Sequence, residues 1–382
     1  MRKICIFFCG LFFLPSCDNN LSYEGPILNV LFENNAVLLA DSIFENVEYI
    51  PLETVNRNLL SEIDKVVVIN DTIYILDRNQ YGIFQFDMTG RFLQSLFRRG
   101  IGPGDYLALT DFLVCDSTVA ILSAANKKIF LYSKKDFSFI GDLSLPVSAV
   151  RFNEYNNCIF LYSGDLSNEG YNIYIIDKKS GNVINKYHKL DITPEKQFFS
   201  RKIFNISSQY NYYYQEFGYD IYEAFLEGDS IVFRLDFGED NMFDSDFINL
   251  SSHEKKCFLK NRYADVTKRP ISGIDNLYFS DSILFFSFVK GVLPYWYIRV
   301  NENIPYIGNI KATVEYPLVT PIVSYIDEEY IYEMVYPETI LEKVEYCKEN
   351  GKEHLIAQIP DWLISGIKFD DNPVLCRYKL KK

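Results

Sequence analysis

The feature that most constrains this 382-residue chain is a repeat. Three stretches align: Ile83-Phe84-Gln85-Phe86-Asp87-Met88-Thr89-Gly90, Ile129-Phe130-Leu131-Tyr132-Ser133-Lys134-Lys135-Asp136 and Ile173-Tyr174-Ile175-Ile176-Asp177-Lys178-Lys179-Ser180-Gly181. Their first residues lie 46 and 44 positions apart. Each reads as a short strand and a polar turn, with a further strand on either side. Asn70-Asp71, Thr89-Gly90 and Ser180-Gly181 supply turn signals. A period near 45 with about four strands per unit is the signature of a propeller. A four-stranded sheet cannot bury both of its faces alone. Neighbouring sheets cover them, and closing the ring removes a free end.

Later units are less regular. The pairs Asp220–Phe225 with Ser230–Phe237, Ser282–Phe288 with Tyr295–Val300, and Tyr330–Val335 with Pro373–Tyr378 read as strands. The length after the first 40 residues predicts an all-β fold, a six-bladed β-propeller of four-stranded antiparallel blades over 41–382, with seven blades as the alternative. The 16% aromatic content and sparse helix formers agree with strands. Two stretches break the pattern, 240–268 and 337–363. The first carries Phe247, Leu250, Cys257 and Leu259 at helical spacing; the second opens on Pro337 and has Gly351 as a stop. Both are expected to be short helical insertions on a loop face, a place where binding surfaces are often built.

The N-terminus reads as an export signal. Arg2 and Lys3 precede an apolar run, Ile4 to Leu14, which is shorter than the ~20 residues a membrane span needs. Leu14-Pro15-Ser16-Cys17 resembles a bacterial lipobox, which implies cleavage after Ser16 and acylation of Cys17. Several acyl chains hold a protein to a membrane durably, at ~0.8 kcal/mol per buried CH₂. The division is therefore a signal peptide at 1–16, a tether and lead-in at 17–40, and the propeller. Five cysteines remain: Cys115, Cys158, Cys257, Cys347 and Cys376. An odd, widely spaced set is no disulfide framework, and no Cys-x-x-Cys suggests zinc. The net charge of −13 disfavours nucleic acid as a partner.

Ile73-Tyr74-Ile75-Leu76-Asp77-Arg78, Ile83–Asp87, Gly90-Arg91-Phe92 and the Gly100–Tyr106 loop together resemble an NHL-type blade. More closely, they are similar to the six-bladed propeller lipoproteins common in bacteria of the Bacteroides group. Asn46–Glu53 and Asp371–Leu375 resemble that family too. The resemblance implies a lipid-anchored envelope protein with no established reaction. It also implies closure of the ring by Val47–Leu52 pairing with the 322–379 region.

Chemistry-bearing motifs are few. Arg98-Arg99-Gly100-Ile101-Gly102-Pro103-Gly104-Asp105-Tyr106 imposes an unusual backbone path. It can present Arg98, Arg99, Asp105 and Tyr106 to a ligand, or serve as a plain connection between blades. Asp77, Asp87, Asp177 and Asp236 fall at strand ends, where acids either ring a channel around Ca²⁺ or cap turns. The Tyr210–Phe217 run can stack sugars or form a half-buried strand. Gly-x-Ser-x-Gly and His-Glu-x-x-His are absent, and the three His are dispersed. The sequence thus predicts no catalytic residues, no metal site and no cofactor. It points to a monomeric envelope module that binds a protein partner or a small ligand such as a glycan. The alternative is a Ca²⁺-assisted hydrolase or lyase with a carboxylate-lined channel.

Overall fold

In a computed structural model, the described residues are 25–55, 58–164, 170–189, 203–207, 209–215, 217–248, 250 and 252–382. Six small sheets form the ring of a six-bladed β-propeller. Three N-terminal strands come first: β1 (Ile27–Asn29), β2 (Val37–Leu39) and β3 (Phe44–Pro51). Blade one holds β4 (Ile63–Ile69), β5 (Thr72–Asp77), β6 (Gly82–Asp87) and β7 (Phe92–Leu96). Blade two holds β8 (Asp111–Val114), β9 (Thr118–Ser123), β10 (Lys128–Ser133) and β11 (Phe139–Ser144). Blade three holds β12 (Arg151–Tyr155), β13 (Cys158–Tyr162), β14 (Tyr171–Asp177) and β15 (Val183–Lys189). Blade four is built on β16 (Tyr212–Tyr214), β17 (Asp220–Ala224) and β18 (Asp229–Asp236). Blade five holds β19 (Ile274–Phe279), β20 (Ile283–Lys290), β21 (Leu293–Val300) and β22 (Tyr306–Lys311). Blade six is built on β23 (Tyr325–Ile326), β24 (Tyr330–Val335) and β25 (Val374–Leu380).

The apolar pattern follows from the ring. In a middle strand, alternate side chains point to opposite faces, and each face meets a different neighbour. Ile73 and Ile75 of β5 pack toward blade six with Tyr332 and Leu375. Tyr74 and Leu76, between them, pack toward blade two with Ile121 and Phe130. Both faces are covered, so β5 reads as a continuous apolar run, whereas the outermost β11 alternates between half-buried and exposed. Turn chemistry sets the registers. Asn70 and Asp71, at φ 49° and 54°, and Asn156 and Asn157, at 49° and 61°, close two-residue hairpins with left-handed backbone.

The ring closes through β3, which pairs antiparallel to β25 with Val47 opposite Tyr378 and Pro51 opposite Val374. The segment expected as lead-in also enters the blades. Strand β1 lies parallel to β18, Ile27 opposite Arg234, and β2 lies parallel to β22, Val37 opposite Asn309. The antiparallel pattern is thus broken at two outer edges, and blade five has five strands. The N-terminal stretch therefore laces the outer edges of blades four, five and six in order, covering edges that would otherwise expose unpaired backbone. Phe32, between β1 and β2, packs on Phe288 and Tyr295 at 5.2 and 5.0 Å.

The expected insertions are helical. Helices Ser245–Ile248 and Ser252–Arg262 link blades four and five. Pro337–Glu349 and Asp361–Gly366 lie between β24 and β25, with Pro337 in the first turn and Gly351 at φ 63° after the helix end. Successive strands within a blade run antiparallel, so second-to-third-strand turns and blade-to-blade connections share one end of the ring. Both insertions lie at that end. Cys115, Cys158, Cys347 and Cys376 are free thiols.

Candidate functional site

The innermost strands of the blades line the axis, and their first residues face the end that carries the insertions. There a concavity of about 570 Å³ opens between blades one, four, five and six. Its polar wall is fixed by contacts between blades. Asp64 at the start of β4 accepts Arg78 at 2.6 Å and Arg151 of blade three at 3.3 Å. Lys65 binds Asp111 of blade two at 2.8 Å and donates to the Phe112 carbonyl at 2.7 Å. Asp111 in turn accepts the Phe152 amide of blade three at 3.1 Å. Three blades are therefore joined through paired charges that largely cancel.

On the opposite wall, Tyr214 of β16 donates to Asp275 of β19 at 3.2 Å. A register shift between Asp275 and Tyr278, with Asn276 at φ 57°, marks a bulge at this point. Such a bulge re-aims side chains. Asn276 reaches Ser287 at 3.0 Å, and Ser287 donates to the Asp275 carbonyl at 3.2 Å. Pro294, Pro321, Val289 and Ile322 form the apolar lip, with Ile322 70% exposed. Carboxylate, ammonium, hydroxyl and amide groups thus converge beside an apolar wall, as in small-molecule sites.

The glycine-rich loop lies between β7 and β8, away from this concavity. Tyr106 is fully buried and its hydroxyl donates to the Tyr81 carbonyl at 2.8 Å; burial pushes its pKa up to about 12. Asp105 accepts the Gly102 amide at 3.0 Å. Gly104, at φ 76°, passes so close to Phe139 that a Cβ would sit 2.6 Å from its ring. The Tyr132 hydroxyl donates to the Gly104 carbonyl. Arg99 is exposed and covers the Tyr81 ring at 4.7 Å, and Arg98 is exposed beside it. The loop is a brace between blades one and two, and of its four candidate residues only the two arginines present their side chains outward.

The strand-end acids do not converge. By the antiparallel order, Asp77 and Asp236 lie at the insertion-bearing end, and Asp87 and Asp177 at the other. Each caps its own turn: Asp77 accepts the Gln80 amide at 2.9 Å, Asp87 that of Thr89 at 2.9 Å, Asp177 that of Ser180 at 2.7 Å and Asp236 that of Gly238 at 2.8 Å. Among the described residues, no group of three or more His, Cys, Asp or Glu side chains is placed to hold a metal ion. Tyr212, Tyr213 and Tyr214 form a buried strand, of which Tyr214 alone lines the concavity. Cys17 lies outside the described residues.

Residues 26–379 match the family described as Domain of unknown function (DUF4934). The chain belongs to this family. No curated protein matches the DUF4934 chain by sequence. Among solved structures, it is similar to a candidate exported protein from Bacteroides fragilis, with a TM-score of 0.72 and 18% identity over 93% of this chain and 100% of that one. A member of the duf4221 family from Bacteroides vulgatus aligns with a TM-score of 0.48 and 12% identity, over 88% of this chain and 97% of that one. The first of these likenesses agrees with the six-bladed fold. No helix among the described residues of the DUF4934 chain is long and apolar enough to cross a membrane.

Sequence reasoning did not single out Asp64, Lys65, Asp111, Arg151 or Asp275. A signal was present. Ile63-Asp64 and Ile274-Asp275 open the innermost strands of blades one and five, and Asp111 opens that of blade two. Phasing the repeat on its innermost strand rather than its third would have brought these acids to the same end of their strands.

Proposed function

We propose that this protein is a binding module of the bacterial cell envelope, held to a membrane by acylated Cys17 after removal of residues 1–16. Its axial concavity takes a small, hydroxyl-rich neutral ligand such as a short glycan. The observation that carries this reading is the charge-compensated polar wall of that concavity. Lys65, Arg78 and Arg151 are offset by Asp64, Asp111 and Asp275, so an ion finds little net field there. Donors and acceptors at Tyr214, Asp275, Asn276 and Ser287 suit hydroxyl groups, and the apolar lip suits the C–H face of a sugar ring. The described contacts leave the strand-end acids as turn caps and give no support to a Ca²⁺-assisted hydrolase. The export-type N-terminus and the likeness to a candidate exported protein support the envelope location. Two experiments test the proposal. Cys17→Ala should move the protein from the membrane to the soluble fraction, and unchanged retention rules out the anchor. A saccharide screen by calorimetry should give a ligand whose affinity falls at least tenfold in Asp275→Asn; binding that ignores this substitution rejects the axial site.

A further inference from the structure

A second concavity, of about 670 Å³, lies at the opposite end of the ring from the axial site, between blades three and four. Its walls come from the β12–β13 turn and the β17–β18 turn. They carry three aromatic rings, Tyr155, Phe160 and Phe225, together with the aliphatic Leu226. Phe225 and Leu226 are 46% and 49% exposed at the lip, although the polar turn around them gives no packing reason for large apolar side chains to face water. Among the described residues, the only charged ones lining the concavity are Glu227 and Asp229, and both are acids.

The acids differ in setting. Asp229 is half-buried and held rigidly, with its carboxylate 2.8 Å from His188 Nε2 and accepting the Tyr213 hydroxyl. Burial works against its charge, but the His188 and Tyr213 contacts outweigh that and hold its carboxyl below the usual range, so it stays ionised. Glu227 is exposed beside the aromatic lip. The turn itself is locked from outside the concavity: Tyr187 donates to the Phe225 carbonyl at 2.7 Å and Asn185 to that of Leu226 at 3.1 Å. The arrangement is therefore preformed, apolar, aromatic and negative.

Ring faces attract cations through their quadrupole, and an adjacent fixed carboxylate adds a direct charge. We infer that this concavity binds an organic ammonium group carried on an apolar body. An anion is repelled by both acids, and a small hydrated metal ion gains nothing from the apolar walls. The inference does not depend on the axial glycan site, which lies at the other end of the axis.

The test uses the purified full chain, with benzyltrimethylammonium as the probe and benzyl alcohol as the control that keeps the ring and lacks the charge. Isothermal titration should show saturable binding of the cation at least tenfold tighter than of the alcohol. Glu227→Gln and Phe225→Ala should each weaken it about fivefold or more, while Asp64→Asn at the axial site should leave it unchanged in protein that remains folded by circular dichroism. A phenethylamine arm and a lysine-containing peptide arm distinguish a free amine from a protein side chain as the source of the group. Equal affinity for the alcohol, no saturable binding in either arm, or binding insensitive to Glu227→Gln overturns the inference.

Discussion

Asp64 in blade one and Arg151 in blade three are joined at 3.3 Å, with blade two between them in the chain. The pair is nearly closed to water, with side chains 3% and 11% exposed, and Arg151 also donates to the Thr110 carbonyl at 2.9 Å. The contact ties the inner ends of three successive blades at the mouth of the axial concavity.

Removing one partner of such a pair leaves the other charge buried and uncompensated, which costs ~3 kcal/mol. Asp64→Ala is therefore expected to lower stability by about that amount, read as a loss of denaturant midpoint. Exposed pairs such as Lys382–Glu329 contribute less than ~1 kcal/mol. Glu329→Ala should leave the midpoint nearly unmoved, and a similar loss in both variants would contradict the role given to Asp64.

Glu333 predicts a pH dependence. It is fully buried in β24, accepts the Thr320 amide at 2.9 Å through one oxygen and leaves the other without a partner. Burial pushes its pKa well above the ordinary carboxylate range. The folded state therefore holds a proton that the unfolded chain releases more readily. Glu333 contributes its full stability below the unfolded pKa, and that contribution falls as pH rises toward the folded pKa, at up to ~1.4 kcal/mol per pH unit. Glu333→Gln should accordingly gain stability on wild type between pH 5 and pH 8. Parallel melting profiles across that range would show the carboxyl to be uninvolved.

Two glycines separate backbone need from ornament. Gly104→Ala meets both a left-handed φ of 76° and the Phe139 ring, and should cost ~1–3 kcal/mol. At Gly228 a Cβ meets nothing within 4 Å and no left-handed backbone is required, so Gly228→Ala should be neutral or stabilise by ~0.5 kcal/mol. Thermal melts of the two variants side by side check the contrast.

Starting the chain at residue 40 removes β1 and β2 while keeping β3. The burial of Val30 and Leu38, worth ~1.5–3 kcal/mol each, is removed with them, and the edges of β18 and β22 are bared. The shortened protein is expected to melt at lower temperature and to self-associate, measured by scattering against a chain starting at residue 25. An unchanged melt would make these strands dispensable.

The blades were legible because burial on both faces writes continuous apolar runs such as Ile73–Leu76, and because Asn-Asp and Ser-Gly turns punctuate them. The closing strand was legible from the resemblance. Strands β1 and β2 were not: three residues each, parallel to distant partners, leave no periodic trace. The axial site was hidden for a related reason. Asp64, Asp111 and Asp275 gain meaning only when strands far apart in the chain are brought to one axis, and each alone is an acid at the start of a strand. The glycine-rich loop reads two ways in the sequence because a tight interblade crossing and a ligand loop demand the same backbone freedom.

The lacing of three blades by the first strands fixes an order of events. Synthesis delivers Ile27–Pro51 early, yet Arg377, the contact of Glu48, arrives 329 residues later. Until then β3 stays without its mate, and the wheel is completed by an early strand meeting its newest. Such distant pairings make assembly slow, so the interval between the appearance of β1 and the arrival of β25 is when the chain most needs protection from premature association.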